Sequence, residues 1–247
     1  MWANKIVAVV VPAWNEERLI GRTLGRVPAF VDTVLVIDDG STDGTRTRAQ
    51  QVRDSRIRLV SHGENRGVGA AIATGFQRAF SSGAEVAAVM AGDDQMDPSD
   101  LISVIEPILA DRAEFVKGNR FLHGARRDMP FIRRTAGLGL SAVTRFATGL
   151  PIDDSQCGYV ALSARAAAEL PLSELWPRYG YPNDLLGLLA AHRMRVLEVP
   201  VKPIYADERS GVRPWHAVVV LGVIARRWLL TRARTKSASY RASSAAK

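Results

Sequence analysis

The turn Gly92-Asp93-Asp94-Gln95 sets a carboxylate and an amide oxygen two residues apart, at Asp93 and Gln95. In an extended turn, positions two apart face the same side. Oxygen donors of this kind suit a hard divalent ion, Mg²⁺ or Mn²⁺. Such an ion can neutralise charge collecting on a departing diphosphate. An acidic turn ahead of an Asp-Pro helix start is also a common structural device, so the turn gains meaning from its company. Asp38-Asp39-Gly40-Ser41, with Asp43 two residues on, offers carboxylates that can accept from the imino and amino edge of a base. Gly40 would leave room for that base; a strand-ending turn with a helix cap has the same composition. Asn65-Arg66-Gly67-Val68-Gly69 is a glycine-rich helix start whose N–H groups can face phosphate. Ile72 stands where a G-x-G-x-x-G fingerprint needs its third glycine, and the segment follows the third strand, not the first. Those two facts argue against a Rossmann dehydrogenase.

The elements that must position these residues alternate. Lys5–Val11, Thr33–Ile37, Ile57–Val60, Glu85–Met90 and Glu114–Lys117 read as short, Val- and Ile-rich buried strands. Pro12 is expected to end the first strand, and Asn15 to cap a helix whose Leu19, Ile20, Thr23, Leu24 and Val27 share a face. Helices are expected from Asp43 to Arg53, Val68 to Phe80 and Pro98 to Ala110. Strict alternation implies a mostly parallel central sheet with helices on both faces. In such sheets ligands bind beyond the carboxyl ends of the strands. Pro12–Glu16, Asp38–Ser41 and Gly92–Gln95 all fall there. The second half is less regular: a helix over Arg133–Thr148, a strand over Tyr159–Leu162, a helix over Asn183–His192 and a strand over Val196–Val201.

Val11-Pro12-Ala13-Trp14-Asn15-Glu16, Asp38-Asp39-Gly40-Ser41-x-Asp43-Gly44-Thr45, Asn65-x-Gly67, Gly92-Asp93-x-Gln95-x-x-Pro98 and Gly118-Asn119-Arg120 together resemble the family 2 glycosyltransferases. The dolichol-phosphate mannose synthase-like branch, whose members glycosylate polyprenyl phosphates, is the one they look most like. The likeness covers about residues 5–215. It implies the GT-A fold, an NDP-sugar donor linked through GDP or UDP, a divalent metal, and inversion at the anomeric carbon. Carried over by position, Pro12, Ala13, Glu16, Asp38, Asp39, Gly67 and Gly92 would hold the donor. Asp93 and Gln95 would bind the metal. Arg134 would join Arg120 at phosphate, Arg209 and Arg213 are grouped with the phosphate-binding residues, and Asp154 matches an acidic position near the acceptor. Ala91 departs from the family, since an Asp usually stands there; Asp94 is a candidate to compensate.

The acceptor decides which residues must work. A phosphate monoester is mostly dianionic at neutral pH, its second pKa being about 6, and can attack without a base. It needs orientation, which Arg120, Arg133 and Arg134 could give through paired hydrogen bonds. A hydroxyl acceptor must lose a proton as it attacks. Asp154 and Asp184, the latter at a helix start in Tyr181-Pro182-Asn183-Asp184, are then the candidate bases. A non-catalytic nucleotide-sugar-binding protein is the remaining alternative.

Charge is distributed unevenly. The chain of 247 residues carries a net +8, yet nine of its 33 Lys and Arg lie between Arg209 and Lys247, where no Asp or Glu occurs. The first 208 residues are close to neutral, with 24 basic and 25 acidic groups. A basic end beside the apolar run Ala217–Ala225 favours an anionic membrane surface over nucleic acid. That run is far shorter than the roughly 20 residues needed to span a bilayer. The expected division is a GT-A domain over 1–213, an apolar and basic helix over 214–234 that lies at the interface or packs on the domain, and a basic tail over 235–247. One cysteine, Cys157, excludes an internal disulfide. Met1–Val11 lacks a basic leader and runs into a strand, which points to the cytoplasmic side, peripheral to the inner face of the membrane.

Overall fold

In the computed structural model the described residues are 4–124, 129, 131–202, 204 and 215–245. The elements are β1 (Val7–Ala13), α1 (Ile20–Gly25), β2 (Thr33–Asp38), α2 (Thr45–Gln51), β3 (Ile57–Ser61), α3 (Val68–Ser81), β4 (Val86–Val89), α4 (Leu101–Leu109), β5 (Phe115–Asn119), α5 (Phe131–Thr148), β6 (Val160–Ser163), α6 (Ala164–Glu169), α7 (Tyr181–Ala191), β7 (Val196–Pro200) and α8 (Trp215–Ala245). The seven strands form one sheet in the order β3-β2-β1-β4-β6-β5-β7. All neighbours pair in parallel except β6, which runs antiparallel to both β4 and β5.

The uninterrupted apolar strands are explained by burial on both faces. Along β1, Val7, Val9 and Val11 enter one core with Val34 and Val36 of β2 and the apolar faces of α1 and α4. Ala8 and Val10 enter the other, with α3 and α7. Because β6 is reversed, its N-terminal approach, Cys157 to Tyr159, arrives at the edge where the parallel strands end. The tips of β1, β2, β4 and β5 and the entry to β6 therefore share one rim.

Three expectations are corrected. Pro12 does not end β1, which continues to Ala13 opposite Asp38. Its carbonyl accepts from the Gly92 N–H on the β4 side. In an extended chain the missing Pro12 donor lies on that same side, where β4 has already left the sheet. Asn15 does not cap α1. It sits at φ 56°, and its side-chain oxygen accepts from the Thr42 N–H at 2.9 Å, tying the β1 loop to the β2 loop. Finally, α8 runs unbroken past residue 235, through a stretch of Ala, Ser, Thr, Tyr, Lys and Arg that holds neither Gly nor Pro.

Helix α3 crosses β1 at Gly75, where a Cβ would lie 2.1 Å from a Val10 methyl. We expect Gly75→Ala to destabilise the protein by about 1–3 kcal/mol through overpacking, measured as a lowered urea midpoint with an unchanged m-value.

Candidate active site

At the shared rim the protein opens a crevice of about 690 Å³, well within the range of small-ligand sites. Pro12, Ala13 and Glu16 from the end of β1, Asp39 from β2, Gly67 before α3, and Gly92 and Asp93 after β4 line one side. Trp176, Arg178 and Tyr179, with Trp215 and His216 of α8, line the other. The first two loops are sewn together by backbone donors. Asn15 N–H donates to Ser41 Oγ (3.0 Å), Glu16 N–H to Thr45 Oγ1 (2.7 Å) and Glu17 N–H to the Asp43 carboxylate (3.2 Å).

The strand-tip acids do different work. Asp39 is buried and accepts from the N–H groups of Arg66 (3.0 Å) and Gly67 (2.7 Å), with His62 Nδ1 at 2.6 Å. It holds the loop before α3 in place, so only part of its capacity remains for a ligand. Asp38 is buried behind it, accepting from Ser41 N–H and Ser61 Oγ, and it does not line the crevice. Gly40, at φ 71°, makes room for the Glu64–Asn65 backbone, not for a ligand, since a Cβ there would stand 2.4 Å from the Glu64 carbonyl carbon. The start of α3 is likewise spent on packing. Gly67, at φ 100°, lies against the Pro177 carbonyl, which also accepts the Ala70 N–H at 3.0 Å.

In the acidic turn, Asp93 faces the crevice. Gln95 Nε2 donates to its carboxylate at 2.6 Å and Gln95 N–H at 3.2 Å. Burial raises the Asp93 pKa above its ordinary value, and the neighbouring Asp94 charge adds to this. Asp94 points the other way: at φ 57°, it accepts from Arg22 Nε at 2.5 Å and from Arg26 at 2.8 Å. It does not replace the acid missing at Ala91.

Two expected acids are locked by arginines. Asp154 is fully buried and takes the Arg120 guanidinium through both oxygens, at 2.8 and 2.9 Å. Burial opposes ionisation, but the Arg120 charge and hydrogen bonds prevail and hold its pKa below the usual carboxylate range. Asp184, also fully buried, takes Arg227 of α8 through both oxygens at 2.7 Å and accepts the Trp176 N–H at 2.9 Å. Asp184 does not line the crevice; it ties α8 and the Trp176 loop together behind the crevice wall. Arg120 lies beyond β6, at the tip of β5, outside the crevice walls. Arg134 sits on α5, with its guanidinium 5.9 Å from the Phe131 ring centre. Arg209 and Arg213 lie outside the described residues.

The sequence profile of Glycosyl transferase family 2 matches residues 8–157, spanning every strand-tip motif that lines the crevice. The chain is a family 2 glycosyltransferase. A UDP-N-acetylglucosamine–dolichyl-phosphate N-acetylglucosaminyltransferase from Methanococcus voltae is 29% identical over 221 residues, covering 83% of this chain and 88% of that protein. An undecaprenyl-phosphate mannosyltransferase from Micrococcus luteus is 29% identical over 242 residues, covering 92% and 98%. Among solved structures, glucosyl-3-phosphoglycerate synthase from Mycobacterium tuberculosis, crystallised with Mn²⁺, UDP and phosphoglyceric acid, superposes with a TM-score of 0.70 at 20% identity, over 92% of this chain and 79% of that one. The fold of this glycosyltransferase is GT-A.

The donor set for a metal is lean. No cluster of three or more His, Cys, Asp or Glu stands ready to hold an ion among the described residues. Asp93 nevertheless suits one. It is a desolvated carboxylate in the crevice, with no cationic side chain paired to it among the described residues. An octahedral ion of the Mg²⁺ kind is commonly held by one or two carboxylates, with substrate phosphates and water filling the rest.

The far wall of the glycosyltransferase crevice escapes sequence reasoning. Trp176, Arg178, Tyr179 and His216 carry no motif, and Trp215 reads as a membrane contact. The Tyr179 and His216 rings stack with centres 4.4 Å apart, and Trp215 packs on His216 at 4.1 Å. Their only sequence signal is a local concentration of aromatics in Trp176–Tyr181 and Trp215–His216.

Two expected outcomes follow from these environments. A folded-state pKa above the ordinary value means that Asp93 binds its proton more tightly folded than unfolded, so its contribution to stability falls as pH rises between those values. Asp93→Asn should therefore raise the melting temperature of the ligand-free enzyme at pH 7, with the gain shrinking toward acid pH. Arg227→Ala removes both short hydrogen bonds of the buried Asp184 pair, leaving it the Trp176 N–H and the more distant Arg226 (3.6 Å), and should cost about 3–5 kcal/mol in chemical denaturation, whereas Arg227→Met combined with Asp184→Leu should cost less than Arg227→Ala alone.

Proposed function

We propose that this glycosyltransferase passes a hexose from a GDP- or UDP-linked donor to a polyprenyl phosphate, with inversion at the anomeric carbon. The observation that carries the choice of acceptor is the state of the two candidate bases. Asp154 and Asp184 are each buried in a bidentate arginine pair, and Asp154 is held ionised, which leaves neither suited to take a proton from a hydroxyl. A phosphate dianion needs no such base. Two relatives whose names specify polyprenyl-phosphate acceptors resemble the chain over more than four fifths of its length.

In this reading the donor's nucleoside lies among Pro12, Ala13, Glu16 and Asp39, and its diphosphate reaches toward Gly92 and Asp93. Asp93, with Gln95 beside it, would hold Mg²⁺ or Mn²⁺, which when bound neutralises charge on the departing diphosphate. Arg120, aligned by Asp154, grips the acceptor phosphate, and Arg134 on α5 is a second phosphate ligand. The phosphate oxygen attacks the anomeric carbon from the face opposite the diphosphate, so the new bond forms as the old one breaks. Arg209 and Arg213 would add to the phosphate-binding charge.

A lipid acceptor requires an approach to the membrane. Helices α5 and α8 pack side by side. Phe131, Leu138 and Phe146 of α5 and Val218, Leu221 and Leu229 of α8 are exposed. On α8 Arg232, whose guanidinium lies over the Trp228 ring, would add positive charge beside them while the apolar side chains enter the interface. No helix among the described residues is long and apolar enough to cross a membrane. We place the enzyme peripherally, on the cytoplasmic face, with the basic C-terminal segment adding about 1 kcal/mol per basic residue at an anionic surface.

With radiolabelled donor, Mg²⁺ and polyprenyl phosphate, label is expected in the organic-extractable lipid phosphate, and Arg120→Ala should lower kcat/KM for acceptor at least a hundredfold. Transfer to soluble sugar hydroxyls but not to lipid phosphate would overturn the proposal. In flotation assays, binding to anionic vesicles should fall at least fivefold on substituting Phe146 and Val218 together by Glu, and should weaken with added salt.

A further inference from the structure

Strand β7 brings to the rim a carboxylate that the reaction outlined above does not use. Glu198 accepts from the backbone N–H groups of Asp153 (2.9 Å) and Asp154 (2.8 Å) and from the Asn119 side-chain amide (2.7 Å). These partners belong to the two segments that hold Arg120. Asn119 Oδ1 accepts in turn from the N–H groups of Phe121 (2.8 Å) and Leu122 (3.2 Å), closing the turn on which Arg120 rides. Asp154 grips the Arg120 guanidinium with both oxygens and also accepts the Arg120 N–H at 3.1 Å. One carboxylate on an edge strand thus fixes both the backbone turn that carries Arg120 and the acid that aims it.

The chemistry requires a carboxylate at this point. Three N–H donors converge on Glu198, and an ionised side chain offers two acceptor oxygens and no competing donor. A glutamine would keep the volume but present an NH₂ group to one of those donors. Lys117, fully buried on β5, donates to the Cys157 carbonyl; burial lowers its pKa and raises that of Glu198, and the charge of each group partly opposes the shift of the other. Asp154 and Lys117 are the fully buried members of this group, Glu198 is half-buried, and Arg120 keeps 28% of its side chain exposed.

We propose that Glu198 is the positioning residue of the acceptor-phosphate site, holding Arg120 in its phosphate-gripping orientation through Asn119 on one side and Asp154 on the other. The inference rests on the reading of Arg120 as the acceptor-phosphate ligand. Glu198 itself touches no substrate, so its removal should act on the acceptor and spare the donor.

Steady-state kinetics and calorimetry of Glu198→Gln test this. We expect the KM for polyprenyl phosphate to rise tenfold or more, while the KM for donor sugar nucleotide and the Kd of the nucleoside diphosphate stay within twofold. Glu198→Asp, which keeps the charge but shortens its reach, should fall between wild type and Glu198→Gln. The penalty of Arg120→Lys should largely vanish in the Glu198→Gln background, because the guanidinium is already misaligned there. An unchanged acceptor KM, or a fall in kcat with both KM values unchanged, overturns the proposal. Should Glu198→Gln fail to fold, Glu198→Asp carries the same criterion. Arg120→Ala separates the two readings. If it raises the acceptor KM while the Glu198 variants do not, the role of Glu198 alone falls; if it too leaves that KM unchanged, the assignment of Arg120 falls as well.

Discussion

Carboxylates gathered at the ends of parallel strands repel one another, and burying them costs several kcal/mol each unless a partner compensates. That requirement organises the rim of this protein. Asp39 is compensated by two backbone donors and His62, Asp94 by Arg22 and Arg26, Asp154 by Arg120 and Asp184 by Arg227. Asp93 accepts from Gln95 but has no cationic side chain paired to it among the described residues, and burial, with the neighbouring Asp94 charge, raises its pKa. A buried acid left in this state costs stability, as residues retained for function commonly do.

The same pairing rule joins distant parts of the chain. The Asp184–Arg227 pair lies between α7 and α8, and through the Trp176 N–H it also sets the loop that packs on Gly67 and Gly69 at the start of α3. Helix α8 thereby serves three surfaces. Its first residues wall the crevice, its buried stripe of Val220, Val223, Ile224 and Arg227 docks on the domain, and its outer stripe of Val218, Leu221 and Leu229 faces solvent. A helix expected to be either interfacial or packing has the side chains for both.

Much of this was legible beforehand, and for identifiable reasons. Apolar runs such as Val7–Val11 and Val86–Val89 can only be strands buried on both faces, and the polar clusters that follow them can only lie at the carboxyl rim. Pro12, Ala13, Glu16, Asp39, Gly67, Gly92 and Asp93 accordingly meet in one crevice. Where the reading failed, a local signal had two physical meanings. Asn15 has the composition of a helix cap but is used as a bridge between loops. Gly40 looks like a clearance for a ligand and is a clearance for backbone. Asp184 sits at a helix start, where an acid can cap, catalyse or form an ion pair, and its partner is 43 residues away.

The sequence by itself determined the strand–helix alternation, the rim on which the chemistry gathers and the family to which the chain belongs, because these depend on periodicity and on short motifs read along the backbone. Only the tertiary structure decided which acids are paired with an arginine and which one has no cationic side chain beside it among the described residues. It alone set Glu198 of an edge strand behind Arg120, and Trp215 and His216 of the last helix opposite Asp93. The reason is physical: a carboxylate's protonation and hydrogen-bonding capacity are fixed by the groups that surround it in space, and those groups come from segments that the chain brings together only on folding.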